Sequence, residues 1–96
     1  MKIMSNIDID TPIEQYAPKR DTSLNWVIVN PDDIDNMPMV LLHLGHDLSG
    51  MAVLTHETCE KDKCYLISPS EILRRATIEE IISDTPNYIL KDEDNE

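Results

Sequence analysis

The chain is expected to fold as a small α+β protein: a curled antiparallel sheet of about four or five strands, or an SH3-like barrel, with a short C-terminal helical segment. Three observations lead there. The stretch PMVLLHLGHDLSGMAVLTHETCEKDKCYLI reads as three apolar runs separated by turn-forming and charged residues, the pattern of a meander. The stretch SPSEILRRATIEEII carries two helix-start signals and an apolar stripe. Finally, 96 residues make one small domain, and 41% hydrophobic content suffices for one core. Phe is absent and aromatics make up only 4%, so that core is aliphatic.

Residues 1–22 are expected to form an extended N-terminal arm. Pro12 and Pro18 forbid a long regular element. Thr11-Pro12-Ile13-Glu14 resembles a helix start, with Thr11 capping and Pro12 at the first helical position, but Pro18 limits it to about one turn. Residues 23–90 then form the folded domain. LNWVIV at 24–29 is a strand, β-branched and apolar on both faces of its later half, so it belongs inside a sheet. Trp26, the single Trp, is read as a core anchor rather than a ligand platform. Asn30-Pro31-Asp32-Asp33 is a turn, followed by a solvated acidic loop.

The next strand is placed at 39–46 and its partner at 51–58, joined by Asp47-Leu48-Ser49-Gly50 with Gly50 at positive φ. Residues 64–67 form the third strand, beyond the charged turn Glu60-Lys61-Asp62-Lys63. Both faces of this ladder are apolar, so helix and arm must cover what the sheet cannot hide by coiling. Ser68 caps a helix that has Pro69 at its first position and Glu71 closing the box. Thr77 and Glu80 repeat the signal, so either one helix spans 69–83 or two meet near Thr77. Pro86 ends the helix, residues 87–90 return as a short strand, and 91–96, KDEDNE, form a disordered acidic tail. The outline resembles small SH3-like barrels in architecture, which fixes no function.

Charge is the strongest functional signal. Nineteen Asp and Glu against eight Lys and Arg give −11. Such a chain does not bind nucleic acid directly, since affinity for phosphates rests on cations, and it does not adsorb to an anionic membrane. The absence of a secretory signal pattern and of an apolar membrane-length run makes cytoplasmic location the default expectation.

Chemical motifs are lacking. His43, His46, His56, Cys59 and Cys64 have ligand-like spacings, but the hairpin register separates them, so no metal and no cofactor is expected. In that register Cys59 faces Cys64 across the turn, and in a reducing compartment both are read as free thiols. No nucleophile elbow, catalytic relay or phosphate-binding Gly loop is present, and the chain is not expected to be an enzyme.

What remains is a protein-binding module. Asp32, Asp33, Asp35, Glu57, Glu60 and Asp62 are the expected partner-binding residues. Lined along one surface, they would imitate the charge spacing of a nucleic-acid backbone and occupy a basic groove of a partner protein, as an inhibitor or regulator. In size and charge the chain resembles small phage-encoded inhibitors and immunity proteins, a resemblance of character rather than of motif. The alternative is an accessory subunit or homodimer that docks through apolar surface, with Met37, Met39, Leu48 and Met51 as the contacts.

Overall fold

A computed structural model describes residues 2–5, 7–16 and 24–90. Its centre is a five-stranded mixed sheet in the order β1-β3-β2-β4-β5, with β1 at Lys2–Met4, β2 at Asn25–Val29, β3 at Met51–Thr55, β4 at Lys63–Ile67 and β5 at Asn87–Ile89. β3 runs parallel to both β1 and β2, while β4 is antiparallel to β2 and β5. The sheet is open, with β1 and β5 at its edges, so the expected curled antiparallel sheet or barrel is not formed. The α+β class stands: α1 is Met37–His43, α2 Pro69–Arg74 and α3 Ile78–Asp84.

The departure from a meander has one source. Residues 39–46, expected as a strand, belong mostly to α1. A continuous apolar run has no period to distinguish strand from helix. Its composition decides: Met and Leu are strong helix formers, and Val40 is the only β-branched residue in MPMVLLH. Pro38 sits in the first turn, where its missing N–H costs nothing. Gly45, at φ +87, ends the helix. Its N–H donates to the Leu42 carbonyl at 3.0 Å and the His46 N–H to the Leu41 carbonyl at 3.0 Å, the paired bonds of a Schellman terminus. The positive-φ glycine is therefore Gly45 and not Gly50. The expected hairpin Asp47–Gly50 is instead a short 3-10 turn, Leu48–Gly50, with the Asp47 carboxylate accepting from the Ser49 N–H at 2.9 Å. Because α1 carries the chain back across the sheet, β3 emerges parallel to β2, as a helical crossover requires.

Both faces of the sheet are apolar and both are covered. On one, Trp26, Ile28, Leu54 and Ile67 pack against Ile72 of α2, Ile78 and Ile81 of α3, and Ile7 and Ile13 of the N-terminal segment. On the other, Val27, Val29, Met51 and Val53 pack against Met37 and Leu41 of α1 and against Leu90. Met37 and Leu41 lie four positions apart, so they share a helix face and make up its buried stripe.

The N-terminal segment is tied to the core by backbone hydrogen bonds: Ile7 N–H to the Thr55 carbonyl (3.1 Å), Ile13 N–H to Ala76 (2.9 Å) and Glu79 N–H to Ile9 (2.8 Å). Its helical turn covers Ile13–Gln15, with Pro12 rather than Thr11 at the cap position. Two helices meet near Thr77, whose hydroxyl accepts from the Glu80 N–H at 3.2 Å. The Glu80 carboxylate reaches back to the Ala76 N–H at 2.8 Å, one residue beyond a standard capping box. Ser68 makes no cap bond; its hydroxyl meets that of Ser70, and Glu71 pairs with Arg74 instead of closing the box. β3 ends at Thr55, three residues short of the expected strand. The expected acidic tail, 91–96, lies outside the described residues, as does part of the expected arm.

Candidate functional site: the acidic end of the sheet

β2 and β3 are parallel, so their C-terminal ends lie together, and antiparallel β4 begins beside them. The loops that leave and enter there contain all six carboxylates expected at a partner surface. Asp32, Asp33 and Asp35 follow β2, Glu57 and Glu60 follow β3, and Asp62 precedes β4. β5 also ends here, with the Leu90 N–H donating to the Asp62 carbonyl at 2.8 Å. From Leu90 the sequence continues KDEDNE.

Asn30 organises this end. It is buried, 5% exposed. Its Nδ2 donates to the carbonyls of Glu57 (3.3 Å) and Cys59 (3.0 Å), and its Oδ1 accepts from the Asp32 N–H (2.9 Å). One side chain thus binds the β2 exit to the β3–β4 loop and satisfies backbone groups that the turns leave unpaired. Asp33, also 5% exposed, does similar work: its Oδ2 accepts from the Asp62 N–H at 2.6 Å. That bond anchors Asp62 at φ +67, a left-handed conformation that Asp tolerates better than most residues.

The six carboxylates therefore divide by role. Asp32, Asp35, Glu57 and Glu60 are exposed, Asp62 is half-buried, and Asp33 is turned inward. Two lysines sit among them. Lys61 pairs with Asp32 at 3.1 Å and Lys63 with Glu60 at 2.8 Å, and Glu60 raises the affinity of Lys63 for its proton. Both pairs are solvent-exposed and weak. Elsewhere, Arg75 is held between Glu71 and Asp84 near the opposite end of the sheet.

The histidines and cysteines are placed by different elements than the hairpin register implied. His43 lies exposed on α1 and His46 follows its C-terminus. His56 follows β3 and accepts from the Thr58 N–H through Nδ1 at 3.1 Å. Cys59 and Cys64 do not face one another: Cys59 packs in the core beneath α2 and α3, and Cys64 on the α1 face. Both are free thiols, and burial pushes each up to about 11. Among the described residues no group of three or more His, Cys, Asp or Glu converges as a metal site would need.

The apolar contacts expected for docking are also redistributed. Met37 and Met51 are core residues, 0% and 1% exposed, and Leu48 is half-buried. Met39 is 66% exposed, and Leu42, Leu44 and Ile89 join it at the surface. Leu42 and Leu44 could not be singled out while 39–46 was read as a strand, because it is the helix and its C-terminus that turn them outward. Met39, Val40, His43 and Leu44 line one wall of an open groove of about 570 Å³, with Ile89 and Leu90 on the other and Asp35 at the acidic end. Among the described residues no helix is long and apolar enough to cross a membrane. The chain matches no protein-family model, no curated protein and no solved structure.

Proposed function

We propose that the protein is a small acidic protein-binding module without enzymatic activity of its own. It inhibits or regulates a partner by occupying that partner's basic, nucleic-acid-binding surface, in the manner of a DNA mimic. The observation that carries the reading is the gathering of Asp32, Asp35, Glu57, Glu60 and Asp62 on adjacent loops at one end of the sheet, with Asn30 and Asp33 fixing those loops from below. Rigid loops favour binding, since less side-chain and backbone freedom is lost on contact. The field of a chain of net charge −11 would speed encounter with a cationic surface.

The test is capture of a partner from extracts of the source cell on the immobilised chain. The captured protein should be released by duplex DNA and by rising salt. A chain with Asp32, Asp35, Glu57 and Glu60 all changed to Lys should capture nothing. Capture that persists in high salt, ignores DNA and survives the fourfold charge reversal would sink the reading. The exposed side chains of Met39, Leu42 and Leu44 favour the second reading, an accessory subunit or homodimer joined through the outer face of α1. Salt would hardly affect that association.

A further inference from the structure

β5 is an edge strand, and among the described residues nothing pairs with its outer side. The ladder shows which of its groups are unused. The Leu90 N–H bonds to the Asp62 carbonyl, so residues 90 and 62 form a hydrogen-bonded pair. In an antiparallel ladder such pairs alternate, so Tyr88 and Cys64 form the next one. Asn87 and Ile89 lie between and direct their N–H and C=O groups away from β4, toward the open edge. Natural edges are usually blunted by proline, lysine, a bulge or a covering element. β5 reads NYI and has no such device within it. The groove lined by Met39, Val40 and Leu44 meets the C-terminal end of this edge at Ile89 and Leu90.

Resting on the reading of the protein as a binder of basic partners, we propose that β5 takes up an extended segment of that partner as a sixth strand. Every second side chain of the segment is apolar and enters the groove beneath α1. The intervening residues are Lys or Arg, left in water within the field of the acidic end. Backbone pairing then supplies affinity and the groove supplies register, the logic of strand addition. Charge selects the occupant. Asp35 lines the groove, and Leu90, which follows β5 and also lines it, donates its N–H to the Asp62 carbonyl at the acidic end. A second copy of this chain would bring another net charge of −11 to the same edge, across a strand of only three residues.

The test uses fluorescein-labelled acetyl-KVKVKVK-amide and the full-length chain, read by fluorescence anisotropy. Two comparison peptides separate the contributions. One is KVKVKVK with every backbone nitrogen methylated, equal in charge but unable to donate a backbone hydrogen bond on either edge; the other is EVEVEVE. Ile89→Pro deletes one outward N–H and spares the bonds to β4, as an edge position permits. Met39→Ser/Leu44→Ser strips the exposed groove wall without touching the core. Each variant should weaken KVKVKVK binding about fivefold or more, the loss expected from one hydrogen bond or a few buried methylenes. The methylated peptide should bind as weakly as these variants do, and EVEVEVE not at all.

Equal binding of the methylated and unmethylated peptides would overturn strand addition and leave the charge-based function standing. Equal binding of KVKVKVK and EVEVEVE would overturn the choice of a basic segment. A dimer in sizing experiments that Ile89→Pro dissociates would assign the edge to a second copy and overturn the proposal.

Discussion

Asp33 offers the sharpest test of how the acidic end is built. Its carboxylate is 5% exposed and accepts the Asp62 N–H at 2.6 Å. Asp33→Ala removes a charge-assisted acceptor and strands a partly buried donor at a left-handed residue. Hydrogen bonds to charged groups contribute about 1.5–3 kcal/mol, and an unsatisfied buried donor costs a similar amount. The two figures describe one loss from two sides and are not added, so the expected cost is about 2–3 kcal/mol. Asp33→Asn keeps an acceptor of the same shape without the charge and should cost about half of that. With a urea m-value of about 1–3 kcal/mol/M for a chain of this size, Asp33→Ala should lower the urea midpoint by about 0.7–3 M. Asp32→Ala and Asp35→Ala, both at exposed positions, should stay within about 0.5 kcal/mol of the parent. Equal midpoints for Asp33→Ala and Asp32→Ala would refute the division of the cluster into supporting and exposed carboxylates. The same variants separate the roles in binding: Asp32→Ala should weaken partner capture in a chain of unchanged stability, which Asp33→Ala cannot do.

Other consequences follow from the same geometry. Leu54→Ala opens a cavity at a 0% exposed site and should cost about 2–5 kcal/mol by urea denaturation, while Leu73→Ala, at a 62% exposed site, should be nearly silent. Gly45→Ala meets no atom within 4 Å of the added Cβ, so its cost is the left-handed backbone alone, about 1–2 kcal/mol in thermal or urea unfolding. The buried Cys59 and Cys64 thiols, raised to about 11 from 9.0, should resist a thiol reagent at pH 8 until the chain unfolds. Because the unfolded chain loses these protons first, stability should be full below pH 9 and fall as pH rises through about 11. Burial raises Tyr65 in the same sense, so Cys59→Ala/Cys64→Ala should flatten the decline measured by thermal unfolding without abolishing it.

Elements with their own local chemistry were legible in the chain. The run NWVIV reads as a buried strand, and the Pro69 and Thr77 signals marked a helical segment that either one helix or two could satisfy; two form. The failure at residues 39–46 was one of priority among signals. Seven neighbouring residues from Met37 to His43 satisfy a buried strand and a helix alike, and DLSG has the composition of a hairpin turn. Pro38 and Gly45 at the two boundaries carried the deciding information, since one suits a first helical turn and the other a left-handed helix end. A single exchange of strand for helix then changed the topology. A hairpin would have set residues 39–46 antiparallel to β3, whereas the crossover makes β2 and β3 parallel, and that arrangement leaves no closed barrel to form.

That exchange also explains why the acidic loops end up together. In a meander, successive turns alternate between the two ends of the sheet, so the loop after β2 and the loop before β4 would also share an end, but with the strand at 39–46 standing between β2 and β3. With α1 returning the chain, β2 and β3 both finish at one end, and antiparallel β4 must start there. The carboxylates could be picked out from charge alone, but their place on immediately neighbouring loops comes from the order β3-β2-β4. Nor could sequence distinguish Asp33 from Asp32, which are adjacent and chemically identical. Only the short helical turn Pro31–Asp33, capped by the Asn30 side chain, sends one inward to the Asp62 N–H and the other out to Lys61. The sorting of carboxylates into support and surface is thus a property of one capped turn. Asn30→Ala should therefore loosen the β3–β4 loop and weaken partner binding in a chain whose exposed charges are all retained.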